Sequence, residues 1–217
     1  MPEDTIKEVA KTVNKTLETS EKLGKFLSVY LKVPLEMAFG IVEDKLKYMR
    51  WERQIRLMQR ASEFIALQGL EGKISPIQPK LGMPLLQAAL LEEDDYLQDL
   101  WATLLVNACN PDREEKIGIK HINILNELTL YDVKLLEKIC GQLKEWNEDS
   151  FTAANLPNEL LPKGVDIEEN HLMDENVQLS IENMVRLGIF RNESFSHFMY
   201  RVRITFLGWD FYRACTV

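Results

Sequence analysis

Apolar and small residues recur at Ile6, Val9, Ala10, Val13, Leu17, Gly24, Leu27 and Leu31. Their three-four spacing predicts an amphipathic helix over 6–31. Val33-Pro34 breaks or restarts it, because proline lacks a donor and restricts the residue before it. Over 35–68 the only glycine is Gly40 and there is no proline. Met37, Ile41, Tyr48, Trp51, Ile55, Met58 and Ile65 fall on one helical face, and Phe39, Leu46, Leu57 and Phe64 on a second line. One nearly continuous helix is predicted over 34–68, packed on two sides and ended by Gly69.

Gly69, Gly72, Pro76, Pro79, Gly82 and Pro84 mark a loop over 69–84 and a candidate hinge. A short helix over 84–91 follows. Glu92, Glu93, Asp94 and Asp95 then precede a strongly apolar helix over 96–108, where carboxylates cap free amides and suit the dipole. Asn110-Pro111-Asp112 ends it. A helix over 120–128 comes next. Thr129, three before Asp132, gives a capping-box start to a helix over 130–146. The stretch 147–169 reads as irregular, with Pro157, Pro162 and Gly164.

The last fifty residues change period. A helix over 176–187 buries Val177, Ile181, Met184 and Val185 and ends at Gly188. A short strand over 189–191, a turn at 194–196, an alternating strand over 198–205 and a closing helix over 206–214 follow. Helix, Leu-Gly-Ile, strand, turn, strand is the order of a winged-helix module. The predicted fold is mainly α: long N-terminal helices on a helical bundle, with a C-terminal winged-helix-like α+β module. The predicted divisions are 1–75, 76–146 and 147–217.

At 217 residues, 46% hydrophobic and 28% charged, the chain is long and apolar enough to bury a core without metal or disulfide staples. It has no run of eighteen apolar residues and is not expected to span a membrane. Glu3, Asp4, Glu8, Glu18 and Glu21 near the start argue against a signal peptide. The net charge of -8 is unevenly spread. Residues 1–80 carry +3, residues 81–180 carry -13 and residues 181–217 carry +2. An acidic middle repels phosphate backbones.

Cys109, Cys140 and Cys215 lack CxxC spacing, which argues against a disulfide framework or a Cys-type zinc site and for a reducing cytoplasm. His121, His171 and His197 lack HExxH, HxH or HxxxH spacing, so no metal is expected. No GxSxG, phosphate loop or GxGxxG occurs. Gly69-Leu70-Glu71-Gly72-Lys73 has the wrong spacing and no following hydroxyl. No cofactor, small-molecule substrate or catalytic motif is evident, and the chain is not expected to be an enzyme.

Two basic sets remain. Lys45, Arg53, Arg56 and Arg60 form a strip on the long helix, with Lys47 and Arg50 beside it. The strip either binds an anion or partner, or pairs with the acidic middle of the same chain; pairing is the expectation. Arg201 and Arg203 lie on one side of the last strand, placed for wing contacts, with Arg191 and Arg213 nearby. The helix before them carries Glu175, Glu182 and only Arg186, which suits protein contacts better than a major groove. In the apolar helix, Trp101 and Asn107 lie about 120° apart. Trp101 reads as core and Asn107 as a cap or a partner for a buried backbone group.

One string is more specific. Pro79-Lys80, Pro84-Leu85-Leu86, Ala88, Glu92-Glu93-Asp94-Asp95, Leu97-Gln98-Asp99-Leu100-Trp101-Ala102, Leu104-Leu105 and Asn107-Ala108 resemble the abortive infection alpha (Abi-alpha) family of bacterial proteins. The basic stretch Arg50-Trp51-Glu52-Arg53-Gln54 and the C-terminal Ile204-Thr205-Phe206-Leu207-Gly208 extend the resemblance over residues 34–215. It implies a role in defence against phage and brings no catalytic residues. The expected function is a non-enzymatic antiviral defence protein with a protein partner or self-association. A nucleic-acid-binding regulator and a peripheral membrane effector, with residues 1–35 as interfacial helix, are the alternatives.

Overall fold

A computed structural model describes residues 21–41, 51–113, 116–163, 165, 173–193 and 201–216. Residues 6–20 of the first predicted helix, the segment 42–50 with Lys45, His171, His197 and the predicted turn and strand residues 194–200 lie outside the described residues. Among the described residues no helix is long and apolar enough to cross a membrane. The fold is mainly helical with one small antiparallel four-stranded sheet. It divides into two compact units, residues 1–122 with 215–217, and residues 123–214.

In the first unit, residues 21–30 are helical (α1) and bury Leu23, Phe26, Leu27 and Tyr30. Phe26 and Tyr30 stack at 4.1 Å. A parallel bridge joins Leu31 to Ile77. The predicted 34–68 helix is represented by α2 (Leu35–Ile41) and α3 (Trp51–Leu67). Gly69 follows α3 at φ 63°, a left-handed conformation in which glycine has no Cβ to clash.

Helix α4 (Pro79–Leu91) starts five residues before the predicted position. Pro79 takes the first-turn position that tolerates a missing N–H. Pro84, read from the sequence as a start, lies inside the helix. It removes the bond to the Lys80 carbonyl but does not end the helix, because Leu85, Leu86, Ala89 and Leu90 bury beyond it. Helix α5 (Asp95–Cys109) opens as expected: Asp94 is the N-cap and its carboxylate accepts from the Tyr96 and Leu97 amides at 2.9 and 3.0 Å. Helices α3, α4 and α5 pack against one another around Leu57, Ala61, Phe64, Leu86, Trp101 and Leu105. The unit boundary falls within α6 (Ile119–Asn126).

The second unit is led by α7 (Leu130–Trp146), at the predicted bounds. The capping box is present, with Thr129 Oγ1 accepting from the Asp132 amide and Asp132 accepting from the Thr129 amide. Asp132 also accepts from Ser180 Oγ at 2.5 Å, joining α7 to α8 (Glu175–Arg186). The stretch predicted to be irregular holds two strands, β1 (Ser150–Thr152) and β2 (Leu161–Pro162). All three β1 residues are buried, and three residues are too few to set a strand period in the sequence. With β3 (Phe190–Asn192) and β4 (Arg201–Ile204) they form the order β2-β1-β4-β3, every pair antiparallel. Phe151 faces Val202 and Phe190 faces Ile204 in register. The Phe151 and Phe190 rings meet edge to face at 5.5 Å. Helix α9 (Phe206–Ala214) packs on α7.

Candidate functional site

Arg53, Arg56 and Arg60 sit at i, i+3 and i+7 of α3, so they share one helical face. Asp95 and Asp99 are four apart near the start of α5, so they share another. The packing of α3 on α5 sets these faces together. Arg53 Nη1 donates to Asp95 Oδ1 at 2.5 Å, and its other terminal nitrogen donates to the Glu93 carbonyl. Arg56 bridges both carboxylates, 3.2 Å to Asp95 and 2.5 Å to Asp99. Arg60 grips Asp99 with two nitrogens at 2.9 Å, pairs with Glu63 on its own helix and lies over the Phe64 ring at 4.6 Å. Gln98, fully buried, donates to the carbonyls of Arg53 and Ala89 at 3.2 and 3.0 Å, which holds α5 in register with α3 and α4. Of the four strip residues of the sequence, three are thus brought together and engaged; Lys45 lies outside the described residues. The partners Asp95, Asp99 and Gln98 were not singled out as site residues, although the four-residue spacing of the two aspartates opposite a three-four arginine pattern was a readable signal.

The Arg53 hydrogen bond, with the Arg56 charge, holds the Asp95 carboxyl below the usual carboxylate range. The bond to Asp99 raises Arg60 further above its ordinary value. A depressed folded-state carboxylate contributes stability above its unfolded value, near pH ~3.9, and loses it as pH falls through the folded value. Melting temperatures from pH 6 downward are therefore expected to be higher for the wild type than for Asp95→Asn near neutrality, with the gap closing at the acid end. Asp95 is 69% exposed, so added salt should shrink the gap at neutral pH as well.

Trp101 is 1% exposed, at the centre of the first unit. Asn107, also buried, accepts from Gln68 Nε2 and donates to the Thr216 carbonyl, each at 3.1 Å. Both side chains serve packing and backbone satisfaction. In the second unit Arg203 is bonded to Glu193 and, at 3.2 Å, to Asp149, while Arg201 is exposed. Cys109 and Cys140 are fully buried, and burial pushes both thiols up, Cys109 to about 12. They are inert small hydrophobes at neutral pH. Among the described residues no group of His, Cys, Asp and Glu is placed to hold a metal ion.

An arginine face locked onto carboxylates, a packed three-helix unit and a small sheet define a helical protein whose described strip charges are satisfied internally. The family model for abortive infection alpha matches residues 52–215. The chain belongs to that family, whose name points to abortive-infection-type defence. No curated protein and no solved structure matches the chain.

Proposed function

We propose that this protein works in abortive-infection-type defence as a non-enzymatic cytoplasmic component that acts through contacts with protein chains. Family membership supports the defence role. The observation that carries the mode of action is the engagement of Arg53, Arg56 and Arg60 by Asp95 and Asp99. Phosphate would have to displace charge-assisted bonds that are already made, against a chain charge of -8.

The nucleic-acid reading keeps one supporting observation. The chain order α7, β1, β2, α8, β3, β4 places β4 between β1 and β3 with Arg201 exposed on it, which is compatible with a wing. Against it, α8 carries Glu175, Glu182 and the single cation Arg186. Arg186 is bonded to Glu127, and Asn183 donates to the Glu127 carbonyl.

In a phage-challenged host, expression of the protein is expected to cut phage yield while infected cells die. Unchanged phage yield and cell survival would remove the defence role. In anisotropy titrations with labelled DNA and RNA, the wild type is expected to bind poorly at every salt concentration. Arg53→Glu with Arg56→Glu should leave that binding unchanged and lower the melting temperature by a few degrees, at about 2–4 °C for each kcal/mol lost. Micromolar, steeply salt-dependent binding that the reversal abolishes would promote the nucleic-acid reading.

A further inference from the structure

The first unit holds a cavity of about 630 Å³ that lies outside the arginine strip. Its walls come from three segments: residues 75–81, the end of α5 with the turn after it, and residues 116–119 leading into α6. Such a volume is in the range of small-molecule sites, roughly 300–1,000 Å³. We propose that this cavity binds a nucleotide-sized phosphorylated small molecule, and this inference does not rest on the defence reading.

Charge is the first argument. Lys80, Arg113 and Lys116 all line the cavity, and the described lining contains no aspartate or glutamate. Lys80 and Lys116, with no carboxylate in the described lining, stand out in a chain whose residues 81–180 carry -13. Lys80 and Lys116 are exposed and form no ion pair among the described residues. Glu114 and Glu115 lie outside the described residues. The first residues of α4 and α6 also line the cavity, so the positive ends of two helix dipoles add to the lysines.

The second argument is the rest of the lining. Ile77, Leu81 and Ile117 supply apolar wall for a flat heteroaromatic body. Gln78 and Asn110 supply amides that can meet the edge of a base. Apolar walls with a few convergent polar groups and cations fit a phosphorylated heterocycle better than a bare anion.

The third is rigidity. The Ser75 amide donates to the Cys109 carbonyl at 2.7 Å, and the Ile77 amide to the Tyr30 carbonyl at 2.9 Å. The Gly118 amide donates to Nδ1 of the fully buried His121 at 2.9 Å. Asn110 Oδ1 accepts from the Asp112 amide at 2.9 Å. All three wall segments are therefore fixed by hydrogen bonds before any ligand arrives, which lowers the ordering cost of binding.

Calorimetric titration of the full chain with ADP, GDP, adenosine and inorganic tripolyphosphate tests the proposal. A nucleoside diphosphate is expected to bind at micromolar to submillimolar Kd and to raise the wild-type melting temperature in proportion to its concentration. Adenosine and tripolyphosphate should each bind at least ~10-fold more weakly, because each offers only half of the contacts. Lys80→Ala and Lys116→Ala, both at exposed positions, should weaken the diphosphate by about 10-fold each while keeping the melting temperature of the free protein. Arg191→Ala, exposed on β3, should leave binding unchanged. The proposal fails if neither ADP nor GDP binds, if tripolyphosphate binds as tightly as they do, or if the lysine variants bind like the wild type. None of these results bears on phage yield in the defence assay, so the two readings fail separately.

Discussion

Trp101→Ala is expected to cost about 3–5 kcal/mol of stability, the range for removing a buried large aromatic. That is a large share of the roughly 5–15 kcal/mol a domain has available. Trp101 is 1% exposed in α5, and its helix neighbours Leu97, Leu100, Leu104 and Leu105 are all buried. Helix α5 packs against both α3 and α4, so the cavity left by the indole opens where three helices meet. The pairing of Asp95 and Asp99 with the α3 arginines depends on that packing. Thermal melts of the variant should show an early transition, and hydrogen exchange should place it in the first unit. An unchanged midpoint would mean that the indole contributes no packing. Trp101→Phe should recover part of the loss, since it restores ring volume without the indole N–H.

Long, strongly periodic helices were legible in the sequence because period and caps agreed. For α7, Thr129 and Asp132 marked the start and the apolar rows ran to Trp146, and both bounds stand. The residues that carried the family resemblance, from Pro79 to Ala108, fall in α4, α5 and the acidic turn between them. Many of them are buried, which gives that string its distinctive apolar content. What escaped reading has physical reasons. Strands of three and two residues, the second ending in proline, are too short to carry a readable period-2 signal. Proline at 84 predicts a helix start because a proline inside a helix is normally costly, and burial of Leu85, Leu86, Ala89 and Leu90 after it outweighs that cost. The arginine spacing was visible, but the carboxylates that meet it lie about forty residues away and are assigned only by the packing of α3 on α5. The cavity lining is drawn from turns and helix ends, where hydrophobic periodicity says nothing.

Gly208→Ala is expected to destabilise the second unit by about 1–3 kcal/mol, toward the upper end of what an added methyl costs in a packed core. Gly208 is buried in the first turn of α9. A Cβ there would sit 2.3 Å from the Ile189 carbonyl oxygen and 2.7 Å from Ile204 Cγ1. The first of these atoms is backbone, so no rotamer change relieves the clash. The same carbonyl accepts the Thr205 amide at 2.9 Å, and Thr205 Oγ1 donates to the Gly188 carbonyl and accepts from the Gly208 amide. Moving Ile189 away therefore strains the bonds that hold the start of α9 to the entry of β3. Ala gains helix propensity over Gly, roughly 1 kcal/mol in an exposed helix interior, and the net loss should survive that gain. Gly82→Ala is the informative contrast. Its Cβ would meet chiefly the flexible end of Leu31, with Cδ2 at 2.1 Å, and the Ile77 side chain at 3.2 Å. Rotation of Leu31 can relieve most of that contact, so Gly82→Ala should lower the melting temperature less than Gly208→Ala. Equal losses in the two variants would mean that the close backbone approach of α9 to Ile189 is not what fixes glycine at position 208.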